Sequence, residues 1–323
     1  MYNVELKNLF LNTIKNDNSY KRFLSIFNNI EGMERNFGKD ICEMSVEELL
    51  TTLDLKTSTH AASTTQIISL LRKYINWCLK NGKIVGENNL EKIDFKNVNN
   101  SKIVENNYLR NEEEFERMCA VVYKEDAFYN KSTAAHGELI VRLCFAEISK
   151  QEIILIRKDQ VDYENRIIQS PIYADIQYPV SQRALELCEY CTNQKTVVRP
   201  KGVRRATEEK LCDNEYLLRA RISALRGKDE SAPINELRVD RWVREFLKSY
   251  YETTEVYKDC TSTKLSESHM LIRIHNSENP EEFINTVIQS EIQIKKPNIK
   301  GGTLKNKIYQ IKQLYKAWEN VFY

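Results

Sequence analysis

The chain has 323 residues, of which 41% are hydrophobic and 29% charged, and its formal net charge is only +2. These values are ordinary for a globular protein that buries a core, and the length favours about two domains. Total charge gives no reason to expect binding to nucleic acid, so any basic surface must be sought locally. The low counts of nine glycines and six prolines indicate a helix-rich chain.

No segment predicts membrane insertion or secretion. The longest all-aliphatic run, Ile153–Ile156, is far shorter than the ~18 residues of a membrane-spanning helix. The N-terminus lacks a basic region followed by an apolar core. Only Cys188 and Cys191 of the eight cysteines form a CxxC pair, and no second pair completes a zinc site. We therefore expect a cytoplasmic protein with reduced thiols, no metal and no cofactor.

Three helices are predicted in the first hundred residues. The first, from Ser19 to Asn29, places Phe23, Ile26 and Phe27 on one face. Ser45 and Glu48 have the spacing of a capping box and predict the start of the second helix. The third runs from Thr64 to Asn81, before Gly82, a natural C-terminal stop. Its apolar stripe, at the helical spacing, comprises Ile67, Leu70, Leu71, Tyr74 and Cys78.

The opposite face of this third helix is polar and basic. Hydroxyl, amide, ammonium and guanidinium groups are those that contact DNA phosphates and base edges. The face is therefore a candidate DNA-binding surface, with an ordinary solvated helix face as the alternative. Its residues are Thr65, Ser69, Arg72, Lys73, Asn76 and Lys80.

Residues 86–106 are polar, rich in asparagine and without periodicity, which predicts a linker between two domains, residues 1–85 and 107–323. Asn111, with Glu114 three residues later, predicts the N-terminal cap of the first helix after the linker.

Residues 143–168, LCFAEISKQEIILIRKDQVDYENRII, contain the most informative pattern. An amphipathic helix is followed by a short helix that carries Glu152 and the aliphatic run, then by a polar turn and a strand near Arg166–Ile168. This order resembles the first catalytic box of the tyrosine recombinase (phage integrase) superfamily, threonine-glycine-leucine-arginine-x-x-glutamate. Glu152 matches the glutamate of the box, whereas Ser149 stands where the family has its catalytic arginine.

Other positions implied by the resemblance also depart from the family. The hairpin that should carry a lysine is QSPIYADIQYPVS, without lysine. The histidine-x-leucine-arginine-histidine box is best matched from Thr263 to Arg273, which places Ser266 at the second arginine and Glu267 at the second histidine. Use of His269 and Arg273 instead gives the wrong spacing.

Tyr309, Tyr315 and Tyr323 lie in the terminal region where the family has its nucleophilic tyrosine, and Tyr309 and Tyr315 are the candidates. Tyr315 shares the helical spacing of Ile308, Ile311 and Trp318, which favours core packing for it. Ser149 and Ser266 are short and neutral, and cannot replace bidentate guanidinium groups. Because the loss of one transition-state donor costs on the order of 100-fold or more, we expect no recombinase activity.

Several basic stretches remain. Residues 195–228 are strongly basic and include a loop-like segment with the candidate phosphate contacts Arg199, Lys201, Arg204 and Arg205. Residues 233–250 predict a helix with Val239, Trp242, Val243, Phe246 and Leu247 on its apolar face. Its basic stripe consists of Arg238, Arg241, Arg244 and Lys248. Lys264 is a further candidate. The lysines of residues 295–316, which include no acid, suit either DNA or a protein partner.

The segments from residue 19 to 85 resemble the core-binding (SAM-like) domain of the same superfamily. The resemblance therefore implies a mainly α-helical, two-domain clamp around DNA. Its halves would be a helical core-binding domain and an α-rich catalytic-like domain with a small β-sheet. Without an active site, such a clamp would act as a sequence-specific transcriptional repressor that maintains the lysogeny of a prophage.

The expected partners of such a repressor are double-stranded DNA with operator elements and a phage-encoded regulatory protein or peptide-system component. Two alternatives are an active site-specific recombinase and an accessory DNA-binding or assembly protein.

Overall fold

Helices dominate the computed structural model, which describes residues 1–56, 61–93, 101–124, 131–198, 208–225, 229–254 and 260–323. Two small sheets, of three and two strands, complete the regular structure of these ranges. The predicted mainly α-helical class with a small β-sheet is confirmed. No helix in these ranges is both long enough and apolar enough to span a bilayer.

The chain divides into two units by its contacts. The first contains Met1–Val104, Gln310–Val321 and Tyr323, and the second contains Glu105–Tyr309 and Phe322. The division after Val104 lies inside the predicted linker. That stretch contains a 3₁₀ turn at Asn89–Lys92 and the start of a helix at Ser101, while residues 94–100 lie outside the described residues. The domain limits inferred from the sequence stay a prediction.

The first unit is built on four consecutive helices, α1 (Val4–Leu11), α2 (Asp17–Phe37), α3 (Val46–Lys56) and α4 (Ala61–Lys80). The predicted capping box is present at the start of α3: Ser45 N–H donates to Glu48 at 2.8 Å, and Glu48 N–H donates to Ser45 Oγ at 3.2 Å. Gly82, at φ 62°, ends α4 as predicted.

The buried face of α4 differs from the predicted stripe. Ile68 and Ile75, which the prediction omitted, are buried, whereas Ile67 and Leu70 are only partly buried at the edge of the core. Leu71, Tyr74 and Cys78 are buried as predicted. The observed face is rotated because aromatic rings of α1 and α2 fix which side of α4 is covered. The Tyr74 ring lies 5.1 Å from that of Phe10 and 4.9 Å from that of Phe27.

A charged network lies inside this apolar core. The fully buried Lys7 ammonium pairs with Glu34 and lies 3.7 Å from Asp40, which accepts a 3.2 Å hydrogen bond from Tyr74 Oη. Burial raises the pKa of the Glu34 carboxyl, although the Lys7 ammonium opposes this effect. Ion pairs without water need such added hydrogen bonds to offset the cost of desolvation.

The second unit begins within α5 (Ser101–Asn107) and continues with α6 (Glu112–Lys124), α7 (Lys131–Phe145) and α8 (Lys150–Ile153). Asn111 caps α6 as predicted, because its side-chain oxygen accepts the Glu114 N–H at 2.9 Å. The aliphatic run continues beyond α8: Ile156 is fully buried after the helix has ended.

A three-stranded antiparallel sheet follows, made of β1 (Val161–Asp162), β2 (Ile167–Gln169) and β3 (Gln177–Pro179). Val161 pairs with Ile168, which in turn pairs with Tyr178. The strand predicted near Arg166–Ile168 is β2, and it begins one residue later than expected, at Ile167. Arg166 adopts φ 58° in the turn before β2.

Two 3₁₀ turns, at Lys158–Gln160 and Ile222–Ala224, also belong to this unit. Its other elements in the described ranges are α9 (Gln182–Asn193), β4 (Thr196–Val198), β5 (Glu208–Lys210), α10 (Glu236–Thr254), α11 (Ser262–His275), α12 (Pro280–Phe283), a π-helical turn (Ile284–Ile288), α13 (Gln289–Lys295) and α14 (Gly301–Phe322). Helix α7 is central to this unit and packs against α9, α10 and α11. The last helix, α14, passes from the second unit into the first at Tyr309–Gln310.

Candidate nucleic-acid interface

Helix α10 separates an apolar face from a basic one. Val239, Val243, Phe246 and Leu247 are buried, as the sequence predicts, whereas Trp242 of the same predicted face is only partly buried. Residues on the other side include Arg241, Arg244 and Lys248, which are all exposed. Spacings of three and four residues place these three cations on one side of the helix. The helical periodicity of the sequence therefore decides which side chains of α10 are buried and which are exposed.

Two acidic residues of the same helix, Asp240 and Glu245, lie next to this basic face in the sequence. Glu245 accepts a 2.7 Å hydrogen bond from Arg241 Nε, but the Arg241 side chain is 76% exposed. Exposed pairs at i, i+4 contribute only a few tenths of a kcal/mol. Asp240 instead accepts hydrogen bonds from Lys150 at 2.8 and 2.9 Å, and from Ser262 Oγ at 3.2 Å. Arg241, Arg244 and Lys248 thus present their charged groups to solvent.

Arg238 does not share this exposed face, contrary to the predicted stripe. Its side chain is partly buried, and burial, helped by the nearby Arg221 and Arg241, lowers the pKa of its guanidinium. Leu237, which is 76% exposed, occupies the corresponding position one turn before Arg241. The solvent-facing stripe consequently begins with an apolar side chain and continues with three cations.

The polar face predicted on α4 is largely exposed. Ser69, Lys73, Asn76 and Lys80 are exposed, whereas Arg72 is partly buried. The Asn76 side-chain oxygen accepts a 2.8 Å hydrogen bond from the Asn88 amide. Thr65 lies in α4, but its side chain is outside the described residues. The face retains two lysines and two neutral polar groups for contact with a ligand.

Lys264 is held within the protein. Its ammonium donates to Glu267 at 2.7 Å and to the Tyr108 hydroxyl, and lies 4.5 Å from the centre of the Tyr108 ring. Leu109 N–H donates to Ser268 Oγ at 3.1 Å in the same area. These bonds attach the segment before α6 to α11. Lys264 therefore has a clear structural role, which sequence reasoning did not identify.

Ser149, at the position of the first catalytic arginine in the resemblance, caps α8. Its hydroxyl donates to Glu152 Oε2 at 2.6 Å and accepts the Glu152 N–H at 3.3 Å. Glu152 Oε1 accepts hydrogen bonds from Ser170 Oγ at 2.6 Å and from Tyr178 Oη at 2.7 Å. Burial, followed by the Glu152 carboxylate, raises the pKa of the Tyr178 phenol. Ser149 is thus one of several donors that hold the fully buried Glu152 carboxylate by hydrogen bonds.

Glu147 joins three elements of the second unit and was not foreseen as a site residue. Its backbone has φ 63°, in the left-handed region, and its Oε1 lies 2.9 Å from His269 Nδ1 and 2.8 Å from Arg273 Nη1. Arg273 also pairs with Glu291 at 2.6 Å. Burial opposes ionisation of Glu147, but His269 and Arg273 outweigh it, so the carboxyl pKa lies below its usual value. The i, i+4 spacing of His269 and Arg273 was the available sequence signal.

The remaining predicted positions are distributed as follows. Thr263 is exposed, and Ser266 is partly buried, near the start of α11. Tyr309 is 58% exposed, whereas Tyr315 is buried and its hydroxyl donates to Glu319 at 2.7 Å. Burial and Glu319 raise the pKa of the Tyr315 phenol, which opposes formation of a nucleophilic phenolate.

Arg199, Lys201, Arg204 and Arg205 lie outside the described residues. In the parts of the chain that the structure describes, no group of three or more histidine, cysteine, aspartate or glutamate side chains could hold a metal ion.

Comparison with known families gives a match for the first quarter of the chain. Residues 1–80 match the model of a family described as MrpR, N-terminal core-binding domain. This match agrees with the core-binding domain expected near the N-terminus. No curated protein sequence matches the chain significantly.

Several solved structures of recombinases and integrases have a similar course of the chain. For XerA recombinase, the TM-score is 0.39 and the identity 13%, over 94% of this chain and 95% of that chain. For the Tn1549 transposon integrase in complex with circular intermediate DNA, the TM-score is 0.38 and the identity 11%, over 94% of this chain and 98% of that chain. For a lambda integrase dimer bound to a COC′ core site, the TM-score is 0.34 and the identity 13%, over 94% of this chain and 92% of that chain.

Proposed function

We propose that this protein binds double-stranded DNA sequence-specifically and regulates transcription without cutting the DNA. The observation that carries the proposal is the exposed basic face of α10, where Arg241, Arg244 and Lys248 point away from a buried apolar face. Guanidinium and ammonium groups supply phosphate contacts, and guanidinium groups also read guanine edges in the major groove.

A second surface supports the proposal. The exposed residues of α4 combine two lysines with a serine and an asparagine, and α4 lies in the stretch that matches a core-binding family. Polar surfaces in both units would let the protein contact more of a DNA site than one helix can. Several phosphate contacts are needed for the affinities of about 10⁻⁸ to 10⁻¹¹ M that specific regulators reach.

The absence of cleavage is proposed from chemistry at the positions implied by the resemblance. Ser149 and Ser266 replace arginines, and no lysine lies between β2 and β3. Ser149 is also committed to the Glu152 cap. Phosphoryl transfer needs positive donors on the phosphate oxygens, and neutral hydroxyls cannot supply that charge.

The biological role that fits this combination is repression of prophage genes to maintain lysogeny. The chain resembles the master repressor of SPβ-like Bacillus prophages, a repressor with a degenerate integrase fold. Under this proposal, its operators are repeated DNA elements, and a phage-encoded regulatory protein or peptide-system component relieves repression. The protein would act at the bacterial nucleoid.

Selection of bound fragments from genomic DNA of the host tests the DNA-binding proposal. Fragments recovered by the protein are expected to share a sequence element. A gel-shift assay should then show that this element binds at least about 10³-fold more tightly than random duplex. Equal affinity for the selected element and random DNA would contradict sequence-specific regulation and favour an accessory role.

A suicide substrate tests the absence of cleavage. The selected element, with a nick that traps covalent intermediates, should give no protein–DNA adduct. An adduct in the wild-type protein that disappears in Tyr309→Phe or Tyr315→Phe would show an active recombinase. Tyr163→Phe is a suitable control, since Tyr163 is also an exposed tyrosine of the second unit.

A further inference from the structure

The segment from Lys295 to Lys307 concentrates positive charge where α13 ends and α14 begins. It contains Lys295, Lys296, Lys300, Lys305 and Lys307, here called the lysine cluster, and no acidic residue. The turn between the helices is closed by Ile299 N–H, which donates to the Lys296 carbonyl at 3.0 Å. Five cations therefore lie within 13 consecutive residues on either side of this turn.

Three members of the cluster, Lys296, Lys300 and Lys305, are exposed to solvent. The partly buried Lys295 ammonium donates to the Glu147 carbonyl oxygen at 3.3 Å and lies 5.0 Å from the Tyr178 ring centre. Neither a carbonyl oxygen nor an aromatic ring carries a full negative charge. Lys295 is thus positioned by its contacts without being neutralised.

The pKa of Lys307 reflects the positive charge of the neighbouring lysines. Burial, and then repulsion from Lys296 and Lys295, lowers the pKa of its ammonium, and only Glu267 acts in the opposite direction. Glu267 already accepts hydrogen bonds from Lys264 at 2.7 Å and Tyr108 Oη at 3.0 Å. None of the five lysines forms a salt bridge with a carboxylate of the residues that the structure describes. An external anion would remove this repulsion.

The structure distinguishes between kinds of anionic partner. A membrane-binding amphipathic helix needs a continuous exposed apolar face, but Leu304 and Ile308 on α14 are each only 8% exposed. The exposed Ile294 and Tyr309 are single side chains on different helices and do not form such a face. The same unit carries the exposed basic face of α10, and both surfaces suit a long polyanion. The first turn of α14 adds partial positive charge from its free N–H groups, next to Lys300.

We propose that the lysine cluster binds backbone phosphates of double-stranded DNA, as a sequence-independent contact separate from the basic face of α10. This inference rests on the proposed DNA-binding function and extends it to the lysines around the turn between α13 and α14. Phosphate contacts by lysine set affinity and salt dependence but do not discriminate between bases. Binding would relieve the repulsion at Lys307.

Fluorescence anisotropy of the double variant Lys296→Gln/Lys305→Gln tests the proposal. Both side chains are exposed, so the fold should be retained. Affinity should fall by the same factor for the selected element and for random duplex. The slope of log K against log salt should become shallower by about 2, because each phosphate contact contributes about 0.9. The matched control is Lys15→Gln/Lys21→Gln, which removes two exposed lysines from the first unit.

The outcomes separate the two proposals. If the wild-type protein binds no duplex, the proposed function fails and the lysine cluster fails with it. If the wild-type protein binds DNA but the double variant has unchanged affinity and salt slope, only the lysine cluster is overturned. An equal loss in the control would also overturn it, because a general charge effect would then explain the result.

Acetylation footprinting gives a second readout that needs no variant. Lys296, Lys300 and Lys305 should react with an amine-specific acetylating reagent in the free protein and be protected in the DNA complex. Lys15 and Lys21 should react equally in both states. Full reactivity of the three cluster lysines in a saturated complex would exclude phosphate contact.

Discussion

Ser149 Oγ donates a 2.6 Å hydrogen bond to Glu152 Oε2, while the Glu152 N–H donates back to Ser149 Oγ at 3.3 Å. The hydroxyl thus stabilises both the start of α8 and a carboxylate that is fully buried. At the position where the resemblance expects a guanidinium to meet DNA, the side chain is used for folding.

Ser149→Ala should destabilise the protein by about 1–2 kcal/mol. Loss of an N-cap costs about 1 kcal/mol, and removal of a donor to a buried carboxylate adds to it. Ser181→Ala is the matched control, since Ser181 caps α9 by accepting the Ala184 N–H at 3.2 Å without a capping-box carboxylate. Urea unfolding should show the smaller loss for Ser181→Ala. Equal losses would mean that the bond to Glu152 contributes nothing.

The Glu147 carboxyl should make stability depend on pH in acid. Its pKa is lower in the folded protein than its ordinary value of 4.5, because His269 and Arg273 outweigh the effect of burial. A carboxyl with a lowered pKa stabilises the fold above the unfolded pKa, and this contribution is lost as the pH falls through the folded value. The free energy of unfolding should therefore decrease as the pH drops below about 4.5.

Glu147→Gln should be less stable than the wild-type protein at pH 7, and the difference should shrink as the pH falls below 4.5. Chemical unfolding of both proteins at a series of pH values measures this difference directly. Because both proteins carry the same other carboxyl groups, the contributions of those groups cancel in the difference. A difference that is constant between pH 7 and pH 3 would contradict the assigned ion pairs.

Gly137 marks where α7 touches α10. A Cβ atom at this position would lie 3.4 Å from Phe246 Cδ2 and 3.5 Å from Trp242 Cε3, so alanine fits and a larger side chain does not. Gly137→Val should destabilise the protein by about 1–3 kcal/mol through overpacking, and lower its melting temperature. Gly32→Val in α2 is the control, because nothing lies within 4 Å of its added Cβ. Similar melting temperatures for the two valine variants would show that the α7–α10 contact is not tight.

Arg241→Ala should weaken DNA binding by about 1 kcal/mol or more without changing the melting temperature noticeably. Arg35→Ala provides a matched control: Arg35 in α2 is 64% exposed and pairs with Glu31 at i, i+4, as Arg241 does with Glu245. Anisotropy titrations of both variants measure the effect. Unchanged binding by Arg241→Ala would place the DNA on another surface. Replacement of Lys73 tests α4 more cleanly than replacement of Arg72, which is partly buried.

Features that depend on near neighbours in the chain were predicted well. The capping box of Ser45 and Glu48 and the cap at Asn111 have the expected hydrogen bonds. The buried side of α10 was also predicted, because helical periodicity alone brings its apolar residues together. Periodicity left more freedom for α4, whose buried face includes Ile68 and Ile75, because Ile67, Ile68, Leu70 and Leu71 make its apolar arc wide.

Amino-acid order alone determined the mainly helical class, the amphipathic faces and the concentration of lysines after Lys295. Tertiary structure decided which charges remain available. It partly buried Arg238, engaged Lys264 with Glu267 and Tyr108, and brought His269 and Arg273 to Glu147. The physical reason is that helix formation and capping depend on residues within a few positions. Desolvation and ion pairing depend on segments that are far apart in the chain, and only packing brings those segments into contact.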